Sequence, residues 1–226
     1  MPNVYADVED LMERLNIPDN DPREGQLLNM LEACSRWVDQ QTGHRFYTVT
    51  ETRYYNANTR LYHSAPYAVD WDAMERPFGS PARIEIDDVL SVTSLATDEN
   101  GDGTYERIWA TPGDYWLGPR NAPARSQPYR YINRNAATSR YLFPMWEESI
   151  SVTGVFGWCA LADRPADIKE LTLEVAEVMG TTLTDLAQPG VQTYNINAQL
   201  SVVMAPEELP PLGQQILQFY RGVSVL

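Results

Sequence analysis

The period of the apolar residues changes twice along the chain, and that change limits the folds open to it. Between about Pro22 and Thr42, Leu27, Leu28, Leu31, Cys34, Trp37 and Val38 recur at three- and four-residue steps, the spacing of one helix face. Gly43 follows, where a left-handed C-terminal cap is expected. From about Arg45 the period shortens. "FYTVTETRYYN" is dense in β-branched and aromatic residues, and "RIEIDDVLSVTSLATD" alternates through Ile84, Ile86 and Val89 before reaching Val92 and Leu95. "YERIWATPGDYWLG" and "SISVTGVFGW" read as further strands. Helical spacing returns in "RPADIKELTLEVAEVMGTTLTDL", with Pro165 near its start and Ile168, Leu171, Val175, Val178, Met179 and Leu183 as the stripe.

Helices, strands and helices in blocks predict an α+β fold. A small helical bundle comes from the two ends of the chain, with a β-rich insertion of antiparallel strands and hairpins between them. The expected parts are 1–44, 45–160 and 161–226, forming one compact domain. Asp7 is the expected N-cap of an opening helix over "VEDLMERL", which "IPDNDPREG" breaks. "PRNAPARSQPYRYINRNAATS" is polar and proline-studded, which predicts an exposed functional loop. "AQPGVQTYNINAQLSVVM" is expected to be extended or looped, and "PPLGQQILQFYRG" to be a closing helix.

Charge narrows the function. Against 31 acidic residues stand 17 basic ones, a net charge of −14, so the basic footprint that grips nucleic acid is missing. An acidic surface suits a passage that lets DNA through without holding it. Thirteen Tyr and six Trp supply residues common at interfaces as well as in cores. No apolar run approaches the roughly 20 residues of a membrane helix, and the acidic N-terminus does not read as a signal peptide. Cys34 and Cys159 lie far apart in unlike contexts, which predicts two reduced, mostly buried thiols in a cytosolic setting.

Catalytic signatures are absent: no nucleophile elbow, P-loop, dinucleotide fingerprint or H-E-x-x-H. The two histidines are His44 and His63; His44 follows a helix-capping Gly, so a surface or helix-dipole role is expected, and His63 reads alike. The acid pairs Asp87–Asp88, Glu147–Glu148 and Glu207–Glu208 motivate a carboxylate-dependent hydrolase, which needs two carboxylates facing each other across a cleft. Neighbours in a strand point to opposite faces, so solvated surface is the simpler reading.

"TDENGDGTYE" invites a metal reading, because Asp98, Asn100, Asp102 and Gly103 match positions 1, 3, 5 and 6 of an EF-hand loop. Position 12 is Trp109, which cannot ligate, and both flanks read as strands. A hairpin tip is therefore expected, with Gly101 and Gly103 supplying positive φ. The alternative is a calcium-stabilised protein-binding module held by Asp98, Asn100, Asp102 and Glu106. No catalytic residue and no cofactor is assigned.

Taken in order, these phrases resemble the head-to-tail connector, or adaptor, proteins of long-tailed bacteriophages. "YADVEDLMERLNIP" is similar to the family's opening helix, and "LLNMLEACSRWVDQQTGHRFYTVTETRYYN" to its second helix leading into a strand. "IDDVLSVTSLATDENGDGTYE" with "DYWLGPRN" resembles its hairpin, "ISVTGVFGW" its return to the helical core, and "ILQFYRG" its C-terminus. The resemblance implies a virion structural protein in the neck, made in the host bacterial cytoplasm. It implies a ring, usually twelvefold, of neighbouring adaptor subunits beneath the portal protein. Such a ring extends the DNA channel and offers a platform to a downstream neck or tail-completion protein, with no membrane involved. It further implies that Pro211 to Leu226 docks on the portal through Ile216, Leu217, Phe219, Tyr220 and Arg221, and is removable without unfolding the rest. Loop contacts are implied at Asp98, Asn100 and Asp102, and at Arg120, Arg125 and Tyr129.

Overall fold

The computed structural model describes residues 3–18, 21–57, 82–186 and 209–223, with side chains as far as Met179 in the third helix and Arg221 in the fourth. His63, Glu207, Glu208, the side chain of Leu183 and the stretch 187–204 lie outside the described residues. The fold is mixed α+β, with helices in both terminal parts and strands in the middle. Two compact units divide the chain: residues 1–47 with 160–226, and residues 48–159.

The first unit holds α1 (Val8–Arg14), α2 (Glu24–Thr42), α3 (Ala166–Leu186) and α4 (Pro211–Val223). On α2 the buried stripe is Leu27, Met30, Leu31, Cys34, Trp37 and Val38; Leu28 points outward, and Met30 takes its place. Gly43 closes α2 at φ 76°, donating its N–H to the Asp39 carbonyl at 2.9 Å. On α3, Ile168, Leu171 and Val175 are buried, and Val178 and Met179 are half-buried. Burial pushes the Cys34 thiol up to about 12, so it is an inert packing group.

Two expectations need correction here. Asp7 occupies the N-cap position of α1, but its side chain does not cap the helix. Its carboxylate accepts from Lys169 Nζ at 2.9 Å instead, because a cation on α3 competes better than a neutral amide. His44 is 4% exposed rather than on the surface, with Nε2 3.3 Å from the Tyr220 carbonyl oxygen. The chain turning off α2 carries it beneath α4, and its ring meets Phe46 at 6.4 Å.

The second unit is one antiparallel sheet: β1 (Val49–Tyr55), β2 (Arg83–Thr97), β3 (Arg107–Trp109), β4 (Tyr115–Gly118), β5 (Tyr129–Arg134) and β6 (Ile150–Phe156), in the order β1-β6-β2-β5-β4. The 15-residue β2 is its spine, pairing β5 over Arg83–Val89, β6 over Val89–Thr97 and β3 over Leu95–Thr97. Tyr55, Ile150, Thr97 and Arg107 form one row across the sheet, and chain connections leave from it. Ile84, Leu95, Ile132, Ile150, Val152 and Phe156 face the core, where Trp109 stacks on Phe143 at 4.6 Å.

The presumed loop 119–139 contains β5, which pairs with β2 and β4. The signal was "YRYIN", where Tyr129 and Tyr131 alternate and β-branched Ile132 follows, hidden by the surrounding Arg and Pro. At Gly154 the backbones of β6 and β2 approach closely: a Cβ there would lie 2.4 Å from the Ser91 carbonyl oxygen. The register of β2 against β6 shifts on both sides of this point, between Val89 and Ser91 and between Val92 and Ser94. Glycine permits the double irregularity of the long strand.

Candidate functional site

The β2–β3 hairpin tip is organised by Asp98. This side chain is buried, and its Oδ1 accepts the amides of Asn100 at 3.1 Å and Gly101 at 2.7 Å, while Oδ2 accepts that of Gly103 at 2.8 Å. Burial acts to raise the Asp98 pKa, but the amides of Gly103, Gly101, Asn100 and Asp102 together hold it below the usual carboxylate range. Asp102 is lowered as well, chiefly by the Thr104 amide at 2.7 Å. Asn100 bridges the exposed ends, donating to Glu106 at 3.0 Å and to Asp102 at 3.2 Å. Gly101 and Gly103 have φ of 78° and 83°, as a tight turn demands.

One oxygen each from Asp98, Asp102 and Glu106 lies within 4.8 Å of the others. Both Asp98 oxygens already accept turn amides, so the turn accounts for their arrangement. Trp109, at the place of an EF-hand's last ligand, is 3% exposed and donates Nε1–H to Thr97 Oγ1 at 3.0 Å. It is core.

Around the tip lies an exposed apolar patch that sequence reasoning missed. The rings of Tyr54 and Tyr105 are 5.5 Å apart, and Tyr105 donates its hydroxyl to the Glu148 carbonyl at 2.6 Å. Trp146 lies against Gly101, 3.9 Å from where a Cβ would sit. Tyr54, Met145 and Trp146 are each about half exposed, and Glu147 and Glu148 continue the acidic rim. The only available signal was the run "PMWEE", apolar then acidic, ahead of a strand.

Of the residues implied at the loop of the sheet's other arm, Arg120 and Arg125 are exposed. The Arg120 guanidinium lies 5.4 Å from the Trp116 ring centre, and Arg125 ends a 3-10 turn, Pro123–Arg125. Tyr129 is not in a loop: it opens β5, half-buried, opposite Val89.

On α4 the implied docking residues divide. Ile216, Leu217 and Tyr220 are buried, with the Tyr220 ring 5.1 Å from Phe46 and its hydroxyl donating to Asp167 at 3.0 Å. Each such burial stabilises the fold by roughly 1.5–3 kcal/mol. Arg221 donates Nε–H to the Gln41 carbonyl at 2.7 Å. Leu212 and Phe219, 51% and 59% exposed, are the large apolar groups that α4 leaves to solvent among the described residues.

Carboxyl groups of raised pKa occur within the helical packing. Burial lifts Asp39 to about 6, although Tyr5 donates to it and Arg36 lies beside it. Burial and the neighbouring Glu170 raise Glu174, with Arg14 and the Gly213 amide opposing them. Asp87 is exposed and bound to Tyr55 and Arg53, and Glu147 and Glu148 are exposed as well. These acids hold the fold or face water.

The architecture has counterparts of known structure. Over 98% of this chain and 91% of the other, it matches a chain of the "Virion of native gene transfer agent (GTA) particle", with a TM-score of 0.54 and 14% identity. It also matches a chain of the "Neck of empty GTA particle computed with C6 symmetry", over 97% and 91%, with a TM-score of 0.53 and 15% identity. The chain shares its fold with chains of those particles. No family model matches the sequence, and no curated protein does. Among the described residues no helix is long and apolar enough to cross a membrane.

Proposed function

We propose that this protein is a structural component of the neck of a phage-like particle, an adaptor that joins head to tail. The observation that carries the reading is the fold match over nearly the whole chain, which includes a chain from a particle neck. The ordered sequence resemblance to phage connectors points to the same place independently. In this reading copies assemble as a ring below the portal protein, prolong the DNA channel and present a platform for the next neck or tail protein. The net charge of −14 suits a channel wall that DNA slides past.

Docking on the portal falls to the C-terminal stretch from Pro211, with Phe219 and Leu212 as its exposed apolar groups. Ile216, Leu217 and Tyr220 serve by fixing that helix to the bundle. Deleting the gene tests the role in the particle: heads should accumulate without tails, and supplying the protein in trans should restore joining. Complete, DNA-delivering particles made without it would rule the reading out.

A further inference from the structure

We infer that the acidic, aromatic hairpin tip of one copy docks on the arginine-bearing β4–β5 loop of the next copy, joining subunits head to tail. The inference rests on the ring reading above and names the two faces that would make the ring.

The two faces are complementary in charge. Residues 115–146 contain Arg120, Arg125, Arg130, Arg134 and Arg140 and no acidic residue at all, in a chain whose net charge is −14. Arg120 and Arg125 stand exposed on the loop between β4 and β5, and neither makes an ion pair among the described residues. At the tip, Glu99 is paired with Arg107 at 2.9 Å, but Asp102, Glu106, Glu147 and Glu148 are exposed and have no cation partner among the described residues.

The acidic face also has the apolar surface that an interface core needs. Tyr54, Met145 and Trp146 are each about half exposed, Tyr54 lies against Tyr105 and Trp146 against Gly101 of the tip, and Asp98 holds three of the tip's amides.

A second copy is the occupant these features select. Copies carrying a net charge of −14 repel one another, and a contact that brings opposite local charges together offsets that repulsion. Among the described residues no hydrogen bond or ion pair joins residues 98–106 or 145–148 to residues 119–128, so the two faces do not pair with each other within one chain. Two different faces of one chain meeting each other make a heterologous contact, the kind that closes into rings.

The test uses the full chain assembled on its portal protein, followed by sedimentation velocity for ring formation and by a separate pull-down for portal binding. The double reversals Arg120→Glu with Arg125→Glu, and Asp102→Arg with Glu106→Arg, should each weaken ring formation roughly ten-fold or more. The Arg120→Glu with Arg125→Glu variant should melt at the wild-type temperature, whereas Asp102→Arg with Glu106→Arg gives up the Thr104 and Asn100 bonds of the tip and should melt lower while staying folded at the assay temperature. Combining all four reversals in one chain should restore the ring, because the charges again oppose. Raising salt from about 0.1 to 1 M should weaken the wild-type ring, as the Debye length falls from about 10 to 3 Å. Wild-type rings that form with both reversals unaffected, or with no rescue in the combined variant, overturn this interface and leave the ring reading standing. A wild-type chain that binds the portal only as separate single subunits overturns both.

Discussion

Tyr5 donates its phenol hydrogen to Asp39 Oδ1 and accepts the Phe46 amide hydrogen at 3.0 Å. One hydroxyl thereby ties the N-terminal segment to the last turn of α2 and to the chain leaving it. Burial raises the Tyr5 phenol, and the Asp39 charge raises it further.

The raised Asp39 fixes a sign for pH dependence. A carboxyl lifted from 3.8 to about 6 favours the folded state fully below pH 3.8, and that contribution is lost as pH rises through about 6. Asp39→Asn, which cannot titrate, should therefore gain on the wild type between pH 4 and 7 by up to roughly 3 kcal/mol. Urea unfolding of both proteins across that range reads the difference; parallel curves would contradict it. Tyr5→Phe should cost about 1–3 kcal/mol, because the Asp39 oxygen and the Phe46 amide lose their partner.

Gly154 makes the sheet's sharpest steric demand. Alanine there would place Cβ 2.4 Å from the Ser91 carbonyl oxygen, a backbone atom that cannot turn aside. Gly154→Ala should destabilise the protein by about 1–3 kcal/mol, read from thermal melts. An unchanged melting temperature would mean that β2 can shift.

Glu174 is buried beside the first turn of α4, where a Cβ on Gly213 would meet its Oε2 at 2.4 Å. Its raised pKa comes first from burial and then from Glu170. The ionised form is thus the disfavoured one in the folded state, so Glu174→Gln should stabilise the protein at neutral pH. That advantage should fade on acidification through the ordinary carboxylate range. Chemical denaturation at pH 7 and pH 4 checks it, and a variant weaker at pH 7 would refute the assignment.

The C-terminal helix was expected to be removable, and its packing says otherwise. Ile216, Leu217 and Tyr220 belong to the helical core, so truncation at Pro211 should unfold part of the bundle as well as abolish docking. Point variants separate the roles. Leu217→Ala should cost about 2–5 kcal/mol. Phe219→Glu, at an exposed position, should stay within about 0.5 kcal/mol of wild type yet lose portal binding in a pull-down. Retained binding by Phe219→Glu would move the docking surface elsewhere.

Much of this architecture was legible because local chemistry and fold agreed. The α2 stripe with its Gly43 cap, the alternation of β2 and the glycine-rich tip after Asp98 each carry a period or a turn residue that survives into the structure. β5 was hidden because a strand held between two others needs no strong pattern of its own, and arginines broke the alternation around Ile132. His44 was misplaced because burial beneath α4 depends on a segment 176 residues away. The apolar patch of Tyr54, Met145 and Trp146 was likewise invisible, since β1 and the stretch before β6 meet only in the folded sheet. For the implied docking residues, the closing helix was legible in "PPLGQQILQFYRG", but which of its apolar groups faced outward depends on how it packs on the bundle.

The most direct test of the account is the mass and shape of the complex formed when the full-length chain is mixed with the portal protein of the same particle. Sedimentation velocity with electron microscopy should show a closed ring of this chain stacked coaxially on the portal, with an open channel through both. A chain that leaves the portal at its own mass, with no added ring density, would contradict the assignment to the neck.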